Sequence, residues 1–174
     1  SLVRYDVAAP TWRITHESLG FAIGLPLSWS VVDEQSGERE GYLQLSAPPV
    51  VGADRQYRRD ALTVWSIDVG QSYTMDTLLE AYLGSLDDVS GHELVAEDAS
   101  RRLYRVQRSP FMAEALEGLV LVSKSGSLGF VVEYWGDSVS YVQNEGQVAQ
   151  ILRAFEPLVD GRPASESAAL EAQP

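Results

Sequence analysis

The chemistry open to this chain is limited by its few potential bases and nucleophiles. Its only histidines are His16 and His92, and the G-x-S-x-G sequence that presents the serine of many hydrolases is absent. The tripeptide Lys124-Ser125-Gly126 matches the K-[ST]-G motif of penicillin-recognising enzymes, but the S-x-x-K motif that this chemistry also needs is missing. We therefore interpret both histidines as loop or surface residues and the tripeptide as a hairpin turn. A hydrolase is a third hypothesis, and it requires a serine or aspartate beside a histidine in a cleft.

The sequence predicts neither a cofactor nor a metal site. The chain has no cysteine, no G-x-x-x-x-G-K-[ST] phosphate loop and no G-x-G-x-x-G motif after a strand. Nine acidic residues lie between Asp60 and Asp98 without one lysine or arginine, but the calcium-loop pattern D-x-[DN]-x-[DN]-G is missing. We interpret residues 60–98 as a solvated acidic face, and whether this run binds a cation stays open.

Arginine is concentrated in the segment that offers the candidate contact surface. Residues 55–59 read Arg-Gln-Tyr-Arg-Arg, and arginine and tyrosine are enriched at binding hot spots. Because the chain as a whole is acidic, a local basic segment could orient a partner. The alternative is that these arginines, like those within residues 101–108, pair with nearby acids. The predicted partner-binding residues are Arg55, Tyr57, Arg58 and Arg59.

Length and composition predict one soluble globular domain. The chain has 174 residues, of which 45% are hydrophobic and 22% charged. Its net charge of −12 opposes binding to nucleic acid or to anionic lipid. No stretch approaches the roughly 18 consecutive apolar residues that cross a membrane. Since the sequence starts at Ser1 without Met, we expect that any link to a membrane is through a removed signal or lipid-anchor segment.

The elements that must position these residues are short strands and two helices. Apolar residues at helical spacing predict a helix over residues 75–86, capped by Ser72 or Thr74, and another over residues 140–155. Residues 61–69 alternate in polarity, which predicts a strand with one face on the core. The charged segment 33–41 is interpreted as a solvated connection. Further strands are predicted at residues 21–23, 29–32, 42–45, 93–96, 103–107, 119–122 and 130–134, the last two joined as an antiparallel hairpin.

This order of elements predicts an α+β fold in which helices cover an antiparallel sheet. Four of its features recur together in one known family. They are the segment 20–31 with Pro26 and Trp29 between two strands, the strand ending near Val69 with its following helix, the strands from Glu93 to Tyr134-Trp135, and the last helix ending at Pro157.

With these features the chain resembles the PsbP-like family, which includes Mog-type Ran-binding proteins and many bacterial envelope lipoproteins. The resemblance implies an α/β/α sandwich around a central antiparallel sheet. It covers residues 18–157, which leaves residues 1–17 as an N-terminal extension and residues 158–174 as a flexible tail. A marginal helix over residues 164–172 of this tail is also considered.

The resemblance further implies a non-catalytic binding or accessory domain, commonly exported and tethered to a membrane. We expect an accessory domain of the bacterial cell envelope that recognises a protein partner through its surface, with the cytoplasm as the alternative location. The alternative function is a small-molecule or lipid carrier that uses a cavity between sheet and helix. The nuclear-transport and photosystem roles of the family are not carried over, because the residues that perform them are not matched here.

Overall fold

The computed structural model describes residues 3–8, 11–163 and 165, with side chains described for residues 11–163 and 165. Apart from Ser165, the helix considered over residues 164–172 lies outside the described residues. The helices are α1 (Met75–Gly84) and α2 (Ser138–Arg153). The strands are β1 (Val3–Ala8), β2 (Thr11–His16), β3 (Phe21–Pro26), β4 (Ser30–Ser36), β5 (Glu40–Ser46), β6 (Val50–Val51), β7 (Tyr57–Arg58), β8 (Ala61–Asp68), β9 (Val89–Glu97), β10 (Arg101–Arg108), β11 (Leu116–Ser125), β12 (Leu128–Gly136), β13 (Glu156–Val159) and β14 (Arg162–Pro163).

A seven-stranded antiparallel sheet is the centre of the fold. Its strands lie in the order β4, β5, β8, β12, β11, β10, β9, so β4 and β9 are the outer strands. The predicted hairpin at residues 119–134 is confirmed, because β11 and β12 pair along their length. Gly126 and Ser127 form its turn, and Gly126 has a φ of 58° that an L side chain rarely adopts. Of the tripeptide interpreted as the turn, Lys124 and Ser125 instead end β11. The α+β class is therefore confirmed.

Each face of this sheet carries a buried apolar cluster. Leu119 and Leu121 pack in one buried cluster with α2 and β3, whereas Val120 and Val122 pack in a second cluster with α1. Since neighbouring residues of a strand point to opposite faces, the two helices contact opposite faces of the sheet. The prediction that only one face of residues 61–69 meets the core is wrong, because Leu62 and Val64 are also fully buried.

The two predicted helices are present, with different ends. Helix α1 begins at Met75 as predicted, and its cap is Thr74, whose hydroxyl accepts from the Thr77 N–H at 3.1 Å. It ends at Gly84, two residues earlier than predicted. Helix α2 begins at Ser138, because the Asp137 carboxylate caps it and accepts from the N–H groups of the first turn.

The smaller sheet extends the packed structure past the boundaries drawn from sequence. Strand β2 pairs with β3 from Thr11 to His16, and Ile14 lies in the main cluster. Strand β13 pairs with β3 and β14, and Pro163 is buried. The packed region therefore includes residues 11–16, assigned above to an extension, and residues 158–163, assigned above to a tail.

The interpretation of residues 33–41 as a connection is wrong for most of the segment. Residues 33–36 continue β4 and residues 40–41 begin β5, with a register shift between Val31 and Asp33. The side chains of residues 32–36 are exposed, so this part of the outer strand has no apolar face for a sequence pattern to detect. In the part of the chain that the structure describes, no helix is long and apolar enough to cross a membrane.

Candidate contact surface and ligand cleft

The predicted contact segment is a tight loop at one end of the large sheet. Gly52 N–H donates to the Gln56 carbonyl at 2.9 Å, and Arg55 closes the turn with a φ of 64°. Within this loop the Tyr57 ring is 81% exposed, and Arg55 and Arg59 are exposed. Neither of these two arginines has an ion pair within the described residues. Their charges are therefore not neutralised by an ion pair in the described part of the fold.

Arg58 has a different role, because it is used within the structure. Its Nε donates to Asp60 at 2.7 Å and its Nη1 donates to Asp137 at 2.9 Å. Both carboxylates are buried. Gly52 allows the loop to come this close, since a Cβ there would lie 2.7 Å from an Asp137 oxygen and 2.8 Å from Arg58 Cδ. Arg58 thus anchors the loop that carries Arg55, Tyr57 and Arg59.

The alternative interpretation, in which the arginines pair with nearby acids, holds for Arg58 and for the arginines of β10. Each β10 arginine contacts at least one carboxylate. The pairs are Arg101 with Asp98 (2.7 Å), Arg102 with Asp76, Arg105 with Glu93 (3.0 Å) and Glu145 (3.2 Å), and Arg108 with Asp88 (2.7 Å). Much of the acidic run of residues 60–98 is therefore used in ion pairs. Among the described residues, no group of three or more potential ligands could hold a metal ion.

Asp60 is the centre of a buried polar network that the sequence analysis did not find. Its carboxylate accepts from Arg58, from the Tyr134 hydroxyl at 2.7 Å and from the Asn144 amide at 3.2 Å. Burial, followed by the hydrogen bond to Asp60, raises the pKa of Tyr134. The hydroxyl therefore stays protonated and donates at neutral pH. These residues come from separate elements and have no spacing that could reveal them.

Two more exposed apolar side chains lie at the same end of the sheet. Phe111 and Met112 are each 92% exposed in the turn between β10 and β11. The pairing of Ala61 with Trp135, and of Glu117 with Gly136, places segments 47–60 and 109–115 at one end. The start of α2 is there too, since Gln143 donates to the Val51 carbonyl at 3.0 Å. We call this surface, formed by segments 47–60 and 109–115 with the start of α2, the loop end.

The prediction that His16 is a loop or surface residue is wrong. His16 lies in β2, is fully buried and stacks on Phe21 with ring centroids 5.7 Å apart. Its Nδ1 accepts from the Leu19 N–H at 3.2 Å, so the ring proton is on Nε2 and faces Glu34 at 3.2 Å. Ser18 Oγ is also 3.2 Å from Nδ1. The backbone N–H already occupies the lone pair that a base would need, so the arrangement is suited to structure rather than to activating Ser18.

His92 is exposed on β9. It borders a shallow depression of about 250 Å³ with Glu93 and Arg105, and its ring is 6.3 Å from that of Tyr104. The hydrolase hypothesis requires a serine or aspartate beside the histidine in a cleft, and the lining of this depression contains neither. The exposed position agrees with the surface interpretation of His92.

A cleft of about 430 Å³ opens between α1 and the sheet. Helix α1 packs on β11 and β12 and leaves part of β8 uncovered beside it. Trp65 and Glu133 come from the sheet, Leu78 and Tyr82 from α1, and Tyr73 from the segment before it. Its volume falls in the range of about 300–1,000 Å³ found for small-molecule sites. The cleft combines apolar and aromatic walls with the carboxylates of Glu40 and Glu133.

The Tyr82 hydroxyl orients that carboxylate by donating a hydrogen bond to Glu133. Burial, and then the charge of Glu133, raises the pKa of Tyr82. The tyrosine therefore remains a hydrogen-bond donor at neutral pH. This arrangement fixes one of the two carboxylates, Glu133 and Glu40, that line a mainly apolar and aromatic cleft.

Over its described residues the chain is an α+β protein built on one large antiparallel sheet and two helices. No family model matches it, and no curated protein matches it. The solution structure of cyanobacterial PsbP (CyanoP) from Synechocystis sp. PCC 6803 is similar, with a TM-score of 0.55 at 15% identity over 87% of this chain and 94% of that chain. A crystal structure from Bacteroides thetaiotaomicron VPI-5482 has a TM-score of 0.56 at 12% identity. The match covers 86% of this chain and 49% of that chain, so this chain spans about half the length of that protein. The chain has a PsbP-like fold.

Proposed function

We propose that this chain is a non-catalytic accessory domain that binds a protein partner through its loop end. The observation that carries the proposal is the exposed Tyr57 between Arg55 and Arg59, which have no ion pair in the described structure. Phe111 and Met112 add exposed apolar side chains at the same end. Aromatic, methionine and arginine side chains are the types enriched where proteins bind each other.

Charge complementarity defines the partner's chemistry. Two arginines that have no ion pair among the described residues, on a chain of net charge −12, favour a protein with an acidic rim around apolar pockets. The same net charge opposes docking onto an anionic lipid surface. The PsbP-like resemblance supports a location in the cell envelope, and the packing of α1 and α2 on opposite faces supports the α/β/α sandwich arrangement.

The proposal is tested by placing a photo-crosslinking residue at position 57 in the native cells, with position 39 as a matched exposed control. The protein captured only from position 57 is then purified, and its affinity for the intact chain is measured. The double variant Arg55→Ala/Arg59→Ala should bind at least about tenfold more weakly. The double variant Arg39→Ala/Arg162→Ala removes two exposed arginines outside the loop end, and it should bind normally.

Unchanged affinity in the Arg55/Arg59 variant would overturn the proposal. So would sedimentation of the chain with phosphatidylglycerol vesicles that depends on Arg55, Arg59, Phe111 and Met112, because the loop end would then face lipid. Replacing Phe111 and Met112 by serine tests the apolar contribution separately. This variant should also weaken binding to the captured protein, because the two exposed side chains are expected to enter its apolar pockets.

The cleft beside α1 supports a second candidate function, that of a small-molecule carrier. Its volume of about 430 Å³ and its aromatic lining support this carrier function. Native mass spectrometry of the chain isolated from its own cells should show a bound molecule that is lost on unfolding. A spectrum of bare protein only would contradict it.

A further inference from the structure

We infer that the cleft beside α1 binds a small organic cation, an amine or quaternary ammonium group on an apolar body. The inference rests on the second candidate function, and it names the ligand class for that cleft. It follows from two carboxylates that no ion pair of the described structure reaches, from the rings around them and from the space left open beside α1.

Glu133 is a half-buried acid in apolar surroundings. It lies on the sheet face that α1 covers, between Val131 and Trp135 of its own strand. Its register partners are Thr63 on β8 and Val120 on β11. None of these neighbours is basic, and the Tyr82 hydroxyl is a neutral donor. The negative charge of Glu133 therefore has no compensating charge among its register neighbours.

The cations on this sheet face are all used elsewhere. Arg102 pairs with Asp76. Arg108 lies 4.8 Å from the centre of the Trp135 ring and donates to Asp88 at 2.7 Å. Lys124 donates to the carbonyls of Gln71 and Gly126, at the far end of β11. Within the described residues no ion pair reaches Glu133, and none reaches Glu40, the second acid that lines the cleft.

Three aromatic residues line the same space as these acids. Trp65, Tyr73 and Tyr82 surround it from the sheet, from the segment before α1 and from α1 itself. The Trp65 ring is held by Tyr42, with centroids 5.2 Å apart. Aromatic faces attract cations through their quadrupole, and this attraction grows when water is excluded. Rings and a carboxylate together select a positive group attached to an apolar body.

The opening of the cleft depends on how α1 sits on the sheet. Gly129 lets the helix approach, since a Cβ there would lie 2.9 Å from Leu78 Cδ2. Ala81 of the same helix and Ser85, which caps its C-terminal end, line the cleft and are small. The cleft is therefore bounded by close packing at Leu78 and left open beside Ala81, where a ligand can enter.

The test uses three probes of similar shape and different charge, namely phenethylamine, phenethyl alcohol and phenylacetate. Affinity is measured by calorimetry on the full chain, and the site is located by the shift of the Trp65 indole N–H in NMR spectra. We expect the amine to bind at least about tenfold more tightly than the alcohol. The anion should bind more weakly than either, because Glu133 and Glu40 repel it.

Glu133→Gln should reduce the affinity for the amine to that for the alcohol and leave the alcohol unchanged. Glu80→Gln is the matched control, because it removes one acid from the exposed side of the same helix. Ala81→Trp fills the cleft and should abolish binding of all probes. It also provides a test if the Glu133 variant fails to fold.

The outcomes separate the inference from the function on which it rests. If the three probes bind alike and Ala81→Trp blocks them all, the cleft is a ligand site without preference for cations, and only the inference fails. If Glu133→Gln keeps the preference for the amine, the inference also fails. If no probe shifts Trp65 while a native ligand is bound elsewhere, both the inference and the cleft function fail.

Discussion

The buried carboxylate of Asp60 is stabilised by three donors, and each should have a measurable effect. Tyr134 donates to it at 2.7 Å from a fully buried position. We predict that Tyr134→Phe lowers the free energy of unfolding by about 1.5–3 kcal/mol, as expected for a lost bond to a buried charged group. Urea denaturation followed by fluorescence measures this change.

Tyr42 offers a matched control for this prediction. Its hydroxyl donates to Asp33 over the same distance of 2.7 Å, but this pair is exposed to water. Tyr42→Phe should change stability by less than about 1 kcal/mol, because water can replace the lost partner. Equal losses in the two variants would show that burial of Asp60 adds nothing to the bond.

The burial of His16 could not be predicted from its residue type alone. His16 was interpreted as a loop or surface residue, yet its ring stacks on Phe21 and its two nitrogens face Leu19 and Glu34. Glu34 lies on another strand, so the partner that accommodates the buried histidine could not be read from spacing. Trp12, Ile14 and His16 do alternate along β2, and this pattern could have revealed the strand.

Helix α2 depends on the charge of its cap, which makes its stability sensitive to pH. Burial favours the neutral form of Asp137, but the N–H groups of Ser140, Ala53 and Val139 and the Arg58 charge outweigh it and lower its pKa from 3.8 to about 2. A lowered pKa in the folded state adds stability above the ordinary pKa, and this stability is lost as pH falls from about 5 towards 2.

We therefore predict that Asp137→Asn is less stable than the natural chain by about 2 kcal/mol at neutral pH. Asparagine can still cap the helix, so the difference reports mainly the charge. The difference should shrink towards zero near pH 2, and urea denaturation at several pH values measures it. A difference that does not change with pH would contradict this account of the cap.

Periodicity identified the elements whose exposed and buried sides differ. Helix α1 and the hairpin of β11 and β12 were predicted because their apolar spacing or turn residues are clear. The start of strand β4 was predicted at residues 29–32, but its continuation was missed because its side chains from Val32 onward are exposed on both faces. Strand β8 was predicted to be half-buried because Ser66 reads as polar, although its hydroxyl is buried and donates to the Leu19 carbonyl at 2.7 Å. Tertiary hydrogen bonds of this kind leave no local pattern.

At the scale of the whole molecule, the packed core begins before the region of family resemblance. We predict that a chain starting at residue 18 loses cooperative unfolding, because it lacks the buried Ile14 and His16 and the whole β2 ladder. Loss of one such aliphatic side chain costs about 2–5 kcal/mol, which is a large share of the roughly 5–15 kcal/mol that stabilises a domain. Thermal denaturation followed by circular dichroism measures the loss.

A chain starting at residue 11 is the control, because it keeps β2, its pairing with β3 and the buried Ile14 and His16. It should unfold in one sharp transition at a higher temperature than the chain that starts at residue 18. Equal melting curves for the two shortened chains would mean that β2 contributes nothing to the stability of the core.

The candidate sites differ in how many of their residues could be predicted from the sequence. The basic segment 55–59 was found because its residues are adjacent, although Arg58 proves to be an internal anchor. The cleft was anticipated only as a cavity between sheet and helix. Its residues come from β5, β8, α1, β12 and the segment before α1. Only the folded sheet brings them together.

The two outer strands of the large sheet make it difficult for a second copy to extend it. Strand β4 carries exposed Asp33 and Glu34, so another β4 laid alongside would place like charges against each other. Strand β9 carries exposed Leu94 and Val95, but its pairing with β10 is interrupted by two register shifts that disturb the regular row of hydrogen-bonding groups. Growth of the sheet into a fibre is thus opposed by charge on one margin and by irregular geometry on the other.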